Sequence, residues 1–239
     1  MSMRRCFRVA VALVCLWTAS GRVSAVELRW YGQAMVSITT RDGTVVVIDP
    51  FADDVGYPVP DLSAAVVLVT HGHPDHSNVG AISGDPQIFR KATQARVGEL
   101  RVRSVPTYHD NVRGFDRGNN LVWIVEVEGL SIAHLGDLGH TFTPEQLEQL
   151  QEIDVCFVPV GGGYTIDAAT ATSVVDQLGS ALVIPIHYRT PGLALDIPLA
   201  PVERFLVDKP RVERPSSPTL AVTADTLPDE PTIVVLPYE

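Results

Sequence analysis

Six consecutive residues, His71-Gly72-His73-Pro74-Asp75-His76, carry four side chains able to bind a metal ion. Three imidazoles and a carboxylate suit zinc, and equally iron, manganese or nickel. Chance alone gives roughly 0.0004 occurrences of H-x-H-x-D-H in a chain of this length and composition. Crowding such groups without a ligand has no packing benefit. The motif follows Ala65-Val66-Val67-Leu68-Val69, an apolar run that reads as a buried strand. If the strand continues, His71 and His73 point to one face, because side chains alternate with period two. Pro74 then breaks it, and Asp75 and His76 come from the following turn.

Three more candidates each stand just after an apolar run, where loops carry chemistry. His109 follows Val105-Pro106-Thr107-Tyr108, Asp137 ends His134-Leu135-Gly136-Asp137, and His187 follows Leu182-Val183-Ile184-Pro185-Ile186. Singly each reads as a loop residue; beside the first motif they read together as ligands.

The elements that must position them alternate strands with a few helices. Short strands are expected at 28–31, 35–39 and 45–48, with Arg41-Asp42-Gly43 as a hairpin turn. Later strands are expected at 121–127, 130–134, 155–160, 181–186 and 233–236. Thr143-Pro144-Glu145-Gln146 is a capping box with Pro at the first helical position. Asp167 caps a second helix that stops at Gly179, and 201–207 makes a third. The Pro/Ser/Thr-rich stretch 212–231 reads as an irregular surface segment. Two sheets with helices outside follow from this order.

Residues 1–25 read as a secretory signal peptide. Arg4, Arg5 and Arg8 precede the apolar run Val9–Ala19, and Val23-Ser24-Ala25 is a small-residue cleavage site. Residues 26–239 then form a single domain, exported to the bacterial periplasm or secreted, with no attachment to the membrane after cleavage. Four of the 18 basic residues and none of the 28 acidic ones lie in the signal, so the remainder carries 14 against 28, a net −14. That charge argues against nucleic acid and anionic membranes as partners and leaves a small-molecule substrate. Cys6 and Cys15 leave with the signal; Cys156, in an apolar run, has no partner for a disulfide and reads as a buried, inert thiol.

The ordered set H-x-H-x-D-H, His, Gly-Asp, His resembles the metallo-β-lactamase superfamily. The opening from Tyr31-Gly32 to Ile48-Asp49-Pro50-Phe51 resembles its first hairpin. Gly136-Asp137-Leu138-Gly139-His140, Val158-Pro159-Val160-Gly161-Gly162 and Pro185-Ile186-His187-Tyr188-Arg189 are similar to a branch typified by L-ascorbate-6-phosphate lactonase. The resemblance implies an α/β fold, a four-layer αββα sandwich, with two divalent metal ions in a groove at one edge. Zinc comes first, with manganese or iron as alternatives. By the same resemblance His71, His73 and His109 hold the first metal, Asp75, His76 and His187 the second, and Asp137 bridges them.

Asp75, Asp137 and His140 are the residues the resemblance brings into catalysis, with His140 placed to give a proton to a leaving group. Asp49 resembles the acid that orients a metal-bound imidazole, and His134 is a candidate for the same outer role. Arg189 offers a bidentate contact to an anionic substrate group, or a surface ion pair. The implied reaction is hydrolysis of a small ester, lactone or phosphoester by a metal-activated water. An iron-dependent redox member of the fold, an exported β-lactamase-like amide hydrolase and a non-catalytic metal- or ligand-binding protein are the alternatives, since one fold hosts many reactions.

Overall fold

A computed structural model describes residues 25–238. The expected signal peptide therefore lies outside the described residues, apart from Ala25. Among the described residues no helix is long and apolar enough to cross a membrane.

Two sheets face each other. Strands β1 (Val26–Trp30), β2 (Val36–Thr39) and β3 (Val45–Ile48) form an antiparallel meander. A small parallel pair, β4 (Leu62–Ser63) and β6 (Ile82–Ser83), stands apart. β5 (Val66–Leu68) and β7 (Gln87–Phe89) extend the meander in parallel. The second sheet contains β8 (Gln94–Val97), β9 (Leu100–Tyr108), β10 (Asn119–Val127), β11 (Leu130–His134), β12 (Val155–Pro159) and β13 (Leu182–Ile186). β14 (Val212–Glu213) and β16 (Thr232–Val234) complete it, while β15 (Thr219–Val222) crosses to the first sheet. The orders are β15-β1-β2-β3-β5-β7 and β14-β16-β13-β12-β11-β10-β9-β8.

Side-chain alternation splits the central strands β3 and β5 of the first sheet between two cores. Val46, Ile48, Val66 and Leu68 join the large core shared with the second sheet. Val47, Val67 and Val69 join a smaller one with Phe51, Tyr57, Leu193 and Leu199. β12 and β13 are buried at every position, as a parallel pair covered on both faces must be. Trp123 and Trp30, both fully buried, are the largest side chains of the shared core; truncating either to Ala would cost about 3–5 kcal/mol.

Helices α1 (Pro144–Leu150), α2 (Ala168–Leu178) and α3 (Glu203–Leu206) are the α-helices of the described residues. α1 starts at the expected capping box, with the Thr143 hydroxyl accepting from Gln146 N–H and the Gln146 side chain accepting from Thr143 N–H; such a cap contributes about 1 kcal/mol. α2 runs from the Asp167 cap to Gly179, which is left-handed as a helix stop requires. The fold is the four-layer αββα sandwich, with short 3₁₀ turns and loops in the layer over the first sheet.

Two expectations need correction. The stretch 212–231 is not irregular throughout: β15 lies within it and pairs with β1, Val26 opposite Val222. The strand before the His motif ends at Leu68, so His71 and His73 lie in a turn. They converge through that turn rather than through strand alternation.

Candidate metal centre

The turn 70–76 is fastened to both sheets. Trp123 Nε1 donates to the Val69 carbonyl at 3.0 Å, and Leu121 N–H to the Thr70 carbonyl at 3.0 Å. Thr70 also donates twice to Asp49, from its N–H to Oδ1 (2.8 Å) and its hydroxyl to Oδ2 (2.7 Å). From this anchored turn His71, His73, Asp75 and His76 project towards the ends of β9, β11 and β13. There they meet His109, Asp137 and His187.

Asp137 lies at the centre of these groups. Its Oδ2 is 3.2 Å from His109 Nε2 and 3.9 Å from His71 Nε2. Its Oδ1 is 3.4 Å from both His76 Nε2 and His187 Nε2. His71 Nε2 reaches His73 Nδ1 at 2.9 Å, and His76 Nε2 lies 3.5 Å from Asp75 Oδ2. Two compact donor sets result, His71/His73/His109 and Asp75/His76/His187, each with ligand atoms within 4.8 Å of one another. One carboxylate oxygen of Asp137 faces each set.

The donor atoms fit divalent cations. His76 Nε2 and Asp137 Oδ1 are both buried with no hydrogen-bond partner, a costly state for the protein alone and a natural one for ligand atoms. The opposite nitrogen of His76, Nδ1, lies 2.9 Å from Asp49 Oδ2. That contact makes Nδ1 the donor and leaves Nε2 as the lone-pair nitrogen, the carboxylate–imidazole arrangement that orients metal ligands. Asp49, His71 and His76 also cluster tightly. Asp49, however, already accepts from Thr70 twice and from His76, so it holds ligands rather than serving as one.

Charge follows the same logic. Burial opposes ionisation of Asp137, but His187 and His76 outweigh it and hold its carboxyl well below the usual range. Asp75 is lowered despite burial by the neighbouring His76, 3.5 Å away, and Asp49, also against burial, by the charge of His76. Burial likewise works against a proton on His76, yet Asp137 and Asp49 hold it well above the usual imidazole range. Burial and then the His76 charge push His71 down to about 3. The carboxylates thus favour positive charge among these imidazoles, which a bound divalent cation would supply.

Local backbone geometry is strained around the centre. Gln33, Asp49 and His187, all buried, have φ of 47°, 50° and 51°. Left-handed non-glycine residues cost about 1–3 kcal/mol each and cluster where function requires them. Gly136 is left-handed too, and a Cβ there would strike Asn120 Oδ1 and the Thr70 side chain. Its lack of a side chain lets Asp137 N–H reach Asn120 Oδ1 at 3.0 Å.

Two positioning residues carry no sequence signal for metal chemistry. Asn120, fully buried, also donates to Thr107 Oγ1 and the Leu135 carbonyl, which fixes the side that holds Asp137. Gln33 Nε2 donates to Asp75 Oδ2 at 2.9 Å and lies 3.0 Å from His187 Nε2. The Gly32-Gln33 turn in the first hairpin is the local clue to it.

The remaining sequence candidates surround the centre without entering it. His134 is fully buried, donates from Nε2 to the Ala34 carbonyl at 2.8 Å and accepts Gly136 N–H on Nδ1. It therefore pins the two sheets together behind Asp137. His140 does not face the groove: Nε2 accepts Tyr108 N–H at 3.1 Å and Nδ1 donates to the Thr141 carbonyl at 2.7 Å. With both ring nitrogens engaged, it has no free proton for a leaving group. Arg189 donates to the Ile197 carbonyl at 2.6 Å and lines a separate cavity with Tyr188, Glu203 and Arg214.

The groove above the centre has a volume of about 350 Å³, lined by His73, Asp75, His109, Asp137 and His187 below. Pro74, Leu195 and Ile197 form an apolar wall, and Asp54, Arg117 and Tyr164 the rim.

Residues 27–187 match the family model described as the beta-lactamase superfamily domain. A UPF0173 metal-dependent hydrolase of Pyrococcus furiosus is 32% identical over 186 residues, 63% of this chain and 80% of the relative. One from Thermoplasma volcanium is 28% identical over 224 residues, 80% of this chain and 98% of the relative. A Thermotoga maritima crystal structure, assigned to the Zn-dependent hydrolases of the metallo-β-lactamase superfamily, superposes with a TM-score of 0.74 at 34% identity, over 88% of this chain and 98% of that one.

Proposed function

The chain belongs to the metallo-β-lactamase superfamily, and from that premise we propose that its groove hydrolyses a small ester, lactone or phosphoester with two divalent cations, zinc before manganese or iron. Metal-dependent hydrolysis is what the clustered His/Asp side chains on this fold serve. The observation that carries the finer reading is the split of Asp137, with Oδ2 towards His109 and His71 and Oδ1 towards His76 and His187. A pair of cations supplies Lewis acidity and lowers the pKa of water towards about 7.

The chain's own groups do the rest. Asp49 and Gln33 orient ligands from outside the donor sets. Asp75 and Asp137 are ionised at neutral pH and so can accept a proton, not give one. Pro74, Leu195 and Ile197 exclude water from one side of a groove sized for a small molecule. The two UPF0173 relatives carry names no finer than metal-dependent hydrolase, and that of the Thermotoga structure stops at Zn-dependent hydrolase, so the likeness to the L-ascorbate-6-phosphate lactonase branch rests on the shared segments. It places lactones within the substrate panel rather than at its head.

Elemental analysis of the purified chain, followed by a panel of lactones, esters and phosphodiesters, tests this. About two zinc ions per chain with turnover of a panel member is expected. No metal after loading, or a loaded protein that hydrolyses nothing, overturns it. Iron with visible absorbance would redirect the search to oxygen chemistry.

We further propose that residues 1–25 direct export and are removed before Val26, leaving 26–239 as one domain. β1 opens at Val26, so a cut after Ala25 spares every described strand. Mass spectrometry of exported material should find an N-terminus near Val26; a mass that retains Met1 would count against cleavage.

A further inference from the structure

The loop after the ligand His109 is built around one carboxylate. Asp110 accepts the backbone N–H groups of Val112 (2.9 Å), Gly114 (2.7 Å), Asp116 (3.0 Å) and Arg117 (2.9 Å). His109 N–H donates to the Gly118 carbonyl at 3.0 Å and closes the loop at its base. Arg117 therefore leaves a fixed backbone beside a metal ligand. Its guanidinium lies 3.6 Å from the ring centroid of Tyr164.

Tyr164 comes from the other side of the groove, in the turn after β12. Ile166 N–H donates to the Leu138 carbonyl at 2.9 Å, which seats that turn beside Asp137. The two loops thus meet at the rim through a stacked arginine and tyrosine. Stacking fixes the guanidinium plane and leaves its N–H edge available. Among the described residues Arg117 forms no salt bridge, and no other arginine or lysine lines this groove. Arg189, the anion-binding candidate read from sequence, is tied to a carbonyl in another cavity.

A free guanidinium edge takes a carboxylate or phosphate through paired hydrogen bonds. Asp54, on the same rim, repels an anion at its own position and so favours the Arg117 end. Leu195 and Ile197 offer contact to hydrocarbon. We propose that Arg117, held on Tyr164, is an anion subsite of this groove, selecting esters or lactones with an apolar body and a carboxylate or phosphate away from the scissile bond. The substrate class rests on the hydrolase reading above; the anion subsite stands apart from it.

The test compares the metal-loaded chain on 4-nitrophenyl butyrate, the mono-4-nitrophenyl ester of glutaric acid and a phosphate-terminated ester of equal length. A charge-assisted contact predicts an anionic-to-neutral preference of about 10- to 100-fold in kcat/KM, carried by KM. Arg117→Ala should bring that ratio close to one, and Arg117→Lys should restore part of it. The better of the two anionic esters identifies the group selected. A ratio near one in the unaltered protein, or one unchanged in Arg117→Ala, overturns the subsite. If the unaltered protein cleaves none of the three, the hydrolase reading is decided by the wider panel of lactones, esters and phosphodiesters, and the subsite is decided by binding. Calorimetric titration with glutarate and inorganic phosphate then decides the subsite: binding lost in Arg117→Ala sustains it, and equal or absent binding in both proteins sinks it.

Discussion

Gln33 donates to Asp75 across 2.9 Å, from the first hairpin of one sheet to the turn that carries the His motif. The same amide lies 3.0 Å from His187 Nε2, and the Gln33 carbonyl accepts His187 N–H at 2.9 Å and Trp30 Nε1–H at 3.1 Å. One neutral, buried residue thereby sets the spacing of two groups in the Asp75/His76/His187 set.

Replacing it by alanine should loosen that set alone. Loss of an outer partner weakens metal binding about 10- to 100-fold, so Gln33→Ala should release one cation early during graded dialysis against a chelator while the other stays. Retention of both at unaltered chelator concentrations would show that the ligands hold their places without the amide.

Asp137→Asn removes the charge shared by both donor sets while keeping shape and volume. Hydrolysis should fall by more than about 100-fold, beyond the usual effect of an outer partner. The circular dichroism spectrum should not change, because an amide matches the carboxylate in size and the backbone N–H of this position stays held by Asn120. Two retained metals with an undiminished rate would argue against a bridging role.

Asp110 makes the groove rim sensitive to acid. Burial raises its pKa, but the N–H groups of Arg117, Gly114, Val112 and Asp116 outweigh this and hold it below the usual carboxylate value. A lowered folded-state pKa stabilises above the unfolded value of about 3.9, and the contribution disappears as pH falls through the folded value. Amide protection at Gly114 and Arg117, followed by NMR, should hold from neutrality down to the usual carboxylate range and collapse only below it. Asp110→Asn, with fewer acceptor sites, should lack that transition and show weak protection throughout; persistence of the transition would assign it to another group.

Cys156 should be silent. It is fully buried, and burial pushes its thiol up to about 12. At pH 8 its thiolate fraction is about a thousandfold below that of an ordinary cysteine, so a disulfide reagent should leave the folded protein unlabelled and modify it only with unfolding. Fast labelling of native protein would mean that β12 opens.

The seven ligand candidates were legible because each is a metal-binding side chain at or just after the end of an apolar run, and the fold brings all seven together, five of them lining the groove. Helices α1 and α2 were equally legible, since Thr143, Asp167 and Gly179 are local signals that act within one turn. Gln33 and Asn120 were not, because their work depends on tertiary neighbours and neither type announces a metal. Arg117 was hidden for a related reason: its place follows from Asp110 accepting four amides, which no spacing rule encodes. His140 and Arg189 lie two or three residues past a candidate ligand yet do not line the groove: His140 Nδ1 and one guanidinium nitrogen of Arg189 donate to backbone carbonyls instead. β15 was obscured by the prolines and serines before it, and its partner β1 lies at the far end of the described chain.

That last pairing bears on how the molecule assembles. Val26 through Arg29 find their outer neighbours only in Thr219 through Val222, so the first sheet keeps an open edge until almost the whole chain has been made. Pairings so distant in sequence slow folding, and an open edge is a template for other chains. A product cut short before β15 would retain the seven candidate ligands and still be prone to stick to its own copies. Its synthesis therefore calls for a means of keeping the early strands apart until the closing one arrives.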